Sequence, residues 1–185
     1  MQRIDVVVIG GGQAGLAMSH CLRARDIDHV VIERGRVGER WRTERWDSLR
    51  LLTPNWQSRL PGYTYRGADS EGFMSGREVV RLLENYAAGS CAPVVPHTRV
   101  LRVAAHGERY LVRTDRGDFD AANVVIATGY ADVPARPACA SRLSSRVHQM
   151  TPTVYRKPGA LPPGGVLVVG ASASGAQLAD ELANH

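Results

Sequence analysis

The stretch that most constrains this chain is its start. Residues 4–9 (IDVVVI) are a short, mostly β-branched run, and glycines follow at once at Gly10, Gly12 and Gly15. Such a run reads as a strand buried on both faces of a parallel sheet. Residues 14–24 then carry helix formers, with Leu16, Ala17, Cys21 and Leu22 on a helical spacing. Residues 30–32 read as a second buried strand ending at Glu33, which lies 18 residues after Gly15. The pattern predicts a β-α-β unit of the kind that holds an adenine dinucleotide. In that unit Gly10 allows a tight turn out of the strand, and Gly12 lets backbone N–H groups approach a pyrophosphate. Gly15 lets the helix lie close to the strand. Gln13 and Ala14 open the helix, whose positive end faces the phosphates. Glu33 is placed to accept hydrogen bonds from ribose hydroxyls and would repel a 2′-phosphate, so an unphosphorylated ribose is expected. The competing reading is a glycine turn with a purely structural role; the flanking strand, helix and acid favour the dinucleotide.

The same theme returns near the end. Residues 166–169 read as a buried strand, Gly170 to Gly175 as a glycine-containing turn, and residues 176–183 as a helix. Ser172 stands where the second glycine is expected, and its hydroxyl is able to donate to a phosphate. Gly170, Ser172, Ser174 and Gly175 are therefore candidates for a second dinucleotide site, against the alternative of an ordinary strand-turn-helix. Two such sites suggest one resident dinucleotide and one that delivers a hydride and leaves.

Between the two motifs the chain changes character. Residues 38–65 hold Trp41, Trp46, Trp56, Tyr63 and Tyr65 without clear periodicity, and read as a long, partly ordered loop region. The three tryptophans fit core packing and a lid over a cofactor equally well. Residues 75–88 predict a helix with Ser75 as N-cap, Glu78 completing a capping box, and Val79, Leu82, Leu83 and Tyr86 on one face. Residues 98–103, 110–114 and 118–120 read as short strands of an antiparallel meander. Residues 124–127 read as a further buried strand closing on Thr128-Gly129. A stretch rich in proline follows, from Pro134 to Pro163.

Taken jointly, VVVIGGGQAGLAMSHCLR, VIERGRVGERWRTERWDSLRLLTP, SRLPGY, VVIATGY and VVGASASGAQLADEL resemble, in content and order, the N-terminal half of class B flavin-dependent monooxygenases. This family includes flavin-containing and Baeyer–Villiger monooxygenases. The resemblance implies FAD at Gly10, Gly12, Gln13, Ala14, Gly15, Glu33 and Arg34, with the segment around Trp41 packing near the flavin. It implies that Thr128-Gly129 marks the exit from the FAD domain, and that Gly170, Ser172, Ser174 and Gly175 hold NADPH, with NADH the alternative. The mechanism it implies is oxygenation of a small organic substrate through a peroxyflavin, with no catalytic side-chain triad and no metal. The Baeyer–Villiger fingerprint is incomplete: His148 fits, Ser144 holds the glycine slot, and no tryptophan follows. His148 itself reads equally as structural or as part of an active site. Asn55 does not align firmly enough with Thr53-Pro54 to carry over an active-site role.

The expected architecture is α/β, a Rossmann-like parallel sheet with a small antiparallel meander and the start of a second nucleotide domain. Its expected parts are a FAD-binding domain over residues 1–135, a connection over 136–164 and an NAD(P)H-binding domain from 165. In the resembled family a C-terminal segment returns to close the FAD sheet. The expectation is therefore a missing C-terminal half or a second chain, with a bare dinucleotide-binding fragment as the alternative. A dithiol or disulfide reductase of the same fold is a third reading, and the absence of C-x-x-C speaks against it.

Composition bounds the partners. Of 185 residues 44% are apolar and 22% charged, enough for a core in a soluble protein. The net charge of +5 comes from scattered arginines, with Lys157 the only lysine. Scattered arginine describes a solvated surface more than a nucleic-acid footprint, and no apolar run approaches membrane length, so neither nucleic acid nor membrane is expected as a partner. Cys21, Cys91 and Cys139 are odd in number and far apart, as reduced thiols of a cytoplasmic protein would be.

Overall fold

The computed structural model describes residues 1–130 and 132–185. Six strands form one sheet in the order β3-β2-β1-β6-β5-β4. They are β1 (Gln2–Ile9), β2 (His29–Ile32), β3 (Val94–Val95), β4 (Val100–His106), β5 (Arg109–Thr114) and β6 (Gly117–Ile126). The helices are α1 (Gln13–Arg23), α2 (Glu39–Thr43), α3 (Gly76–Gly89) and α4 (Ala173–Ala183).

β1 lies at the centre because it is apolar on both faces. It runs parallel to β2, Val8 opposite Val31, and parallel to β6, Val8 opposite Val125. Alternation along the strands sends Val6, Val8 and Val31 to one face, where they pack with Leu22 and Ile27. Val7, Ile9, Val30 and Ile32 face the other way, in a cluster that also holds Ile4, Val112 and Ala121. α1 and α3 pack together through Leu16, Val79, Leu83 and Tyr86. The α/β class and the combination of parallel sheet with meander thus stand as expected.

The meander is not a separate element. β6 is one ten-residue strand that joins the two segments read from the sequence as separate strands. Its first part pairs antiparallel with β5, while residues 119–126 run parallel to β1. The Ala121-Ala122-Asn123 stretch between those two segments has weak strand propensity. Its place is set by pairing, with fully buried Ala121 opposite Tyr110 on one side and Ile4 on the other. β3 was not anticipated either. It is two valines between Pro93 and Pro96, held on the free edge of β2 where proline is tolerated.

Residues 38–65 are more ordered than their sequence suggests. They contain α2, a 3₁₀ turn at Asn55–Gln57, and isolated bridges Arg50 to Ser75 and Leu60 to Tyr63. Trp46 and Leu49 are buried with Tyr155 and Leu178. This order comes from tertiary burial, which leaves no periodic trace.

α3 begins as predicted. Ser75 accepts from the Glu78 backbone N–H (3.3 Å), and the Ser75 N–H donates to the Glu78 carboxylate (2.8 Å). Those bonds to Ser75, its backbone N–H first, hold the Glu78 carboxyl below its ordinary range. Ser75→Ala should lower stability by about 1 kcal/mol at neutral pH. The carboxylate's share of this stability is present above the usual glutamate range and fades as pH falls through the depressed value. Urea unfolding of the variant at neutral and at acid pH, giving a smaller difference at acid pH, checks both statements.

One expected strand is absent. Residues 166–169 form no strand, and Val166, Leu167 and Val169 are largely exposed. A strand needs a neighbour for its backbone groups, and none of the sheet's edges meets this segment. Among the described residues no helix is long and apolar enough to cross a membrane.

Candidate functional site

The first glycine turn sits where β1 hands over to α1, at the C-terminal end of the parallel strands. Gly10 has φ +113°, a conformation side chains rarely adopt, and a Cβ there would lie 2.5 Å from the Ala127 carbonyl oxygen. Gly15 is packed against Gly10, and a Cβ on Gly15 would fall well inside contact distance of the Gly10 carbonyl oxygen. Gly12 is different: an added Cβ would meet nothing within 4 Å. Two of the glycines therefore serve the turn itself, whereas Gly12 borders open space.

Gly12 is the N-cap of α1, with no side-chain cap bond and no acid in the first turn. The helix's first intrahelical bond runs from Leu16 N–H to Gly12 O (3.0 Å), so the leading N–H groups of Gln13 and Ala14 face outward without a capping side chain. That leaves partial positive charge beside an open space, an arrangement suited to an anion. Gln13 and Ala14 are both exposed there.

Glu33 ends β2 as expected and has protein partners that the sequence did not suggest. Its Oε2 accepts from Gly11 N–H (2.7 Å) and its Oε1 from Gly35 N–H (2.8 Å). The carboxylate ties the glycine turn to the chain leaving β2, and each oxygen keeps a further lone pair for a hydroxyl donor. Gly11 belongs to the site for the same reason, since a Cβ there would sit 3.0 Å from Glu33 Cβ. The unbroken Gly10-Gly11-Gly12 run was the signal for it. Glu33→Ala should leave two half-buried N–H groups unpaired and cost about 3 kcal/mol. A melting curve with a clearly lowered midpoint checks this; an unchanged midpoint would make the carboxylate a ligand group with no structural role.

Arg34 turns away from Glu33. Its guanidinium grips Asp132 with two bonds (2.6 and 3.3 Å) and lies 3.7 Å from Glu44. This fork holds the Asp132 carboxyl below its ordinary range and raises Arg34, each through the hydrogen bond first. The pair is partly exposed, so it is worth about 0–1 kcal/mol. Its effect is to tie the chain after β6, which carries exposed Thr128 and Gly129, to the chain after β2.

The three tryptophans separate. Trp46 is core, Trp56 is exposed beneath the Arg59 guanidinium, and Trp41 is half-buried. Trp41 packs with the cluster around Leu16 and with that around Trp46, and Arg45 lies 5.3 Å over its ring. His148 is exposed and outside any regular element.

The second turn repeats the first in its local form. Gly170 has φ +112°, and a Cβ on Gly175 would collide with the Gly170 carbonyl oxygen. Ser172 caps α4 at φ −80°, ψ 176°, beside −88° and −170° for Gly12. Ala176 N–H bonds Ser172 O at 3.0 Å, the same distance as Leu16 to Gly12. Ser172 and Ser174 are exposed. An open cleft of about 680 Å³ lies between residues 48–52 and α4, and no residue of either glycine motif lines it.

These features can be set beside known proteins. Residues 7–185 match the family described as pyridine nucleotide-disulphide oxidoreductase. The chain belongs to that family. Within it, the resemblance to flavin-dependent monooxygenases is borne out. A flavin-containing monooxygenase of Stenotrophomonas maltophilia is 29% identical, with a TM-score of 0.88 over all of this chain and 56% of its own. A protein of Geobacillus kaustophilus, named as an uncharacterized CzcO-like oxidoreductase, is 41% identical over 97% of this chain and 51% of its own length. The chain thus spans about half the length of the curated relatives it matches. A bacillithiol disulfide reductase of Bacillus cereus shares the fold alone, at 21% identity and a TM-score of 0.85.

Proposed function

We propose that the chain carries the FAD site, and the opening of the NADPH site, of a flavin-dependent monooxygenase that acts on a small organic substrate. The observation that carries this reading is the open cradle at Gly12 beside the uncapped start of α1, with the Glu33 carboxylate on the other side of the turn. The match to a pyridine nucleotide family and the likeness to a flavin-containing monooxygenase support it.

In this reading the backbone of Gly10, Gly12, Gln13, Ala14 and Gly15 holds the FAD pyrophosphate. Glu33 takes the ribose hydroxyls, and its charge keeps a 2′-phosphate out. Arg34 acts indirectly, by fixing the segment of Thr128 and Gly129 beside the turn, and Trp41 supports the flavin side. Gly170, Ser172, Ser174 and Gly175 hold the NADPH pyrophosphate, the Ser172 hydroxyl donating to a phosphate where Gly12 offers only space. FAD, held by these residues, would supply the redox chemistry between a nicotinamide and dioxygen. The chain's own task is to bind and orient the two dinucleotides and to exclude water. The units are the FAD domain over residues 1–135, the connection over 136–164 and the NADPH domain from 165. Cys21, Cys91 and Cys139 are free thiols.

The test is purification of the full-length protein, its absorption spectrum, and NADPH oxidation with oxygen uptake. A yellow protein that consumes both is expected. A colourless protein that takes up no added FAD overturns the reading.

A further inference from the structure

Two adjacent residues of the connecting stretch, Tyr155 and Arg156, tie together the surroundings of both glycine turns. The Arg156 guanidinium donates to Thr43 O, to Arg45 O (3.4 Å), to Thr153 O (3.0 Å) and to Tyr155 O (2.8 Å). In return Asp47 N–H donates to Arg156 O (2.8 Å). Thr43 is the last residue of α2, so the guanidinium sits where a helix leaves carbonyls unpaired and favours a cation. Tyr155 points the other way. It is 5% exposed, packs among Trp46, Leu49 and Leu178, and donates its hydroxyl to Glu181 of α4 (2.9 Å). Burial, and then the bond to Glu181, push its phenol up, so it stays a donor at any ordinary pH. A second bond joins the same surfaces, from Gln177 of α4 to Arg50 O (3.1 Å).

The link continues to the first turn. Trp41 of α2 packs with the cluster that holds Leu16, the residue next to Gly15. The second turn is the start of α4 itself. A continuous path of packed side chains and hydrogen bonds therefore runs from α1 through Trp41 and α2, across Arg156 and Tyr155, to α4.

We propose that Tyr155 and Arg156 are positioning residues that fix the second glycine turn relative to the first, so that occupancy of one dinucleotide site is felt at the other. This rests on the two-site reading above. Neither residue needs to touch a cofactor; each acts through the helix it holds. Coupling between two sites is reciprocal, and it is a readout that a residue serving only to stabilise the fold would leave unchanged.

The test uses the full-length protein. NADP⁺ is titrated calorimetrically into FAD-loaded and FAD-stripped protein, and the ratio of the two affinities is the coupling. A ratio of about 5 to 10 is expected for the native protein. Tyr155→Phe should bring it to about 1–2 with FAD content and melting temperature nearly unchanged, because only one hydrogen bond is lost. Adding Glu181→Gln should change nothing more, because the hydroxyl from which Glu181 accepts is already gone. Arg156→Met should also abolish the coupling, and Arg156→Lys should recover part of it. If Arg156→Met fails to fold, Tyr155→Phe carries the test alone. Hydrogen exchange over residues 173–183 in nucleotide-free protein should speed up in Tyr155→Phe. An unchanged ratio, or unchanged exchange, in a native protein that does couple the two dinucleotides overturns the positioning role and leaves the two-site reading intact. A native protein that binds no NADP⁺ overturns the two-site reading, and the proposal with it.

Discussion

Gly12→Val should abolish FAD binding in a protein that still folds. Gly12 has an extended backbone (φ −88°, ψ −170°) that valine adopts without strain, and its missing Cβ faces nothing within 4 Å. The substitution therefore collides with no part of the chain. Valine is a poor helix cap, so a loss of about 1 kcal/mol is the expected structural cost. The isopropyl group would fill the space in front of the α1 N-terminus, where a pyrophosphate must come within hydrogen-bond distance of the backbone. Loss of that contact should weaken FAD by at least about 100-fold, equal to about 3 kcal/mol. Flavin absorbance per protein after gel filtration, with circular dichroism as the check on folding, measures both halves. Full flavin content in a folded variant would remove the first turn from the FAD site. Ser172 gives a graded comparison, since its backbone is nearly the same and it already carries a Cβ. Gly12→Ser should accordingly be milder than Gly12→Val, its hydroxyl able to replace part of what the side chain obstructs.

The first motif shows what a sequence makes legible. Gly10, Gly12, Gly15 and Glu33 act over a span in which chain order and spatial order coincide, so spacing alone carries the geometry. The capping box at Ser75 and Glu78 is local in the same sense. What was hidden depends on partners distant in the chain. The Arg34 to Asp132 fork joins residues 98 positions apart, and the Arg156 to Thr43 bond residues 113 apart. The sequence of the long strand β6 resembles two strands because its middle has small and polar residues, whose place is decided by Ile4 and Tyr110 beside them. Residues 166–169 mislead in the opposite direction. Their composition is that of a buried strand, but a strand is a relation between segments, and here no neighbouring segment is paired with them. The local turn that follows needs no such neighbour, and it forms as the spacing of Gly170 and Gly175 indicates.

Gly15→Val should damage the fold itself. Gly15 is buried, and a Cβ there would strike the Gly10 carbonyl oxygen, with Val8 Cγ1 3.4 Å away. The obstacle is backbone, so no side-chain rotation relieves it. Gly10 cannot yield, because its own Cα faces the Ala127 carbonyl at the end of β6, and its positive φ already uses a conformation open mainly to glycine. Moving Gly10 would also disturb its N–H bond to Ile32 O (2.8 Å), which joins β1 to β2 at the same point. The strain therefore spreads into the central strands, and the loss should reach about 4 kcal/mol or more, at the severe end for one substitution. For a chain of this size that corresponds to a melting temperature lower by about 8–16 °C. The turn around Gly175 has the same internal clash, but a Cβ on Gly170 would meet nothing within 4 Å, so that turn has room to move. Gly175→Val should therefore cost clearly less than Gly15→Val. Thermal scans of the two variants side by side decide the matter: equal losses would mean that the clash within the turn sets the cost, and that the contact between Gly10 and β6 contributes nothing.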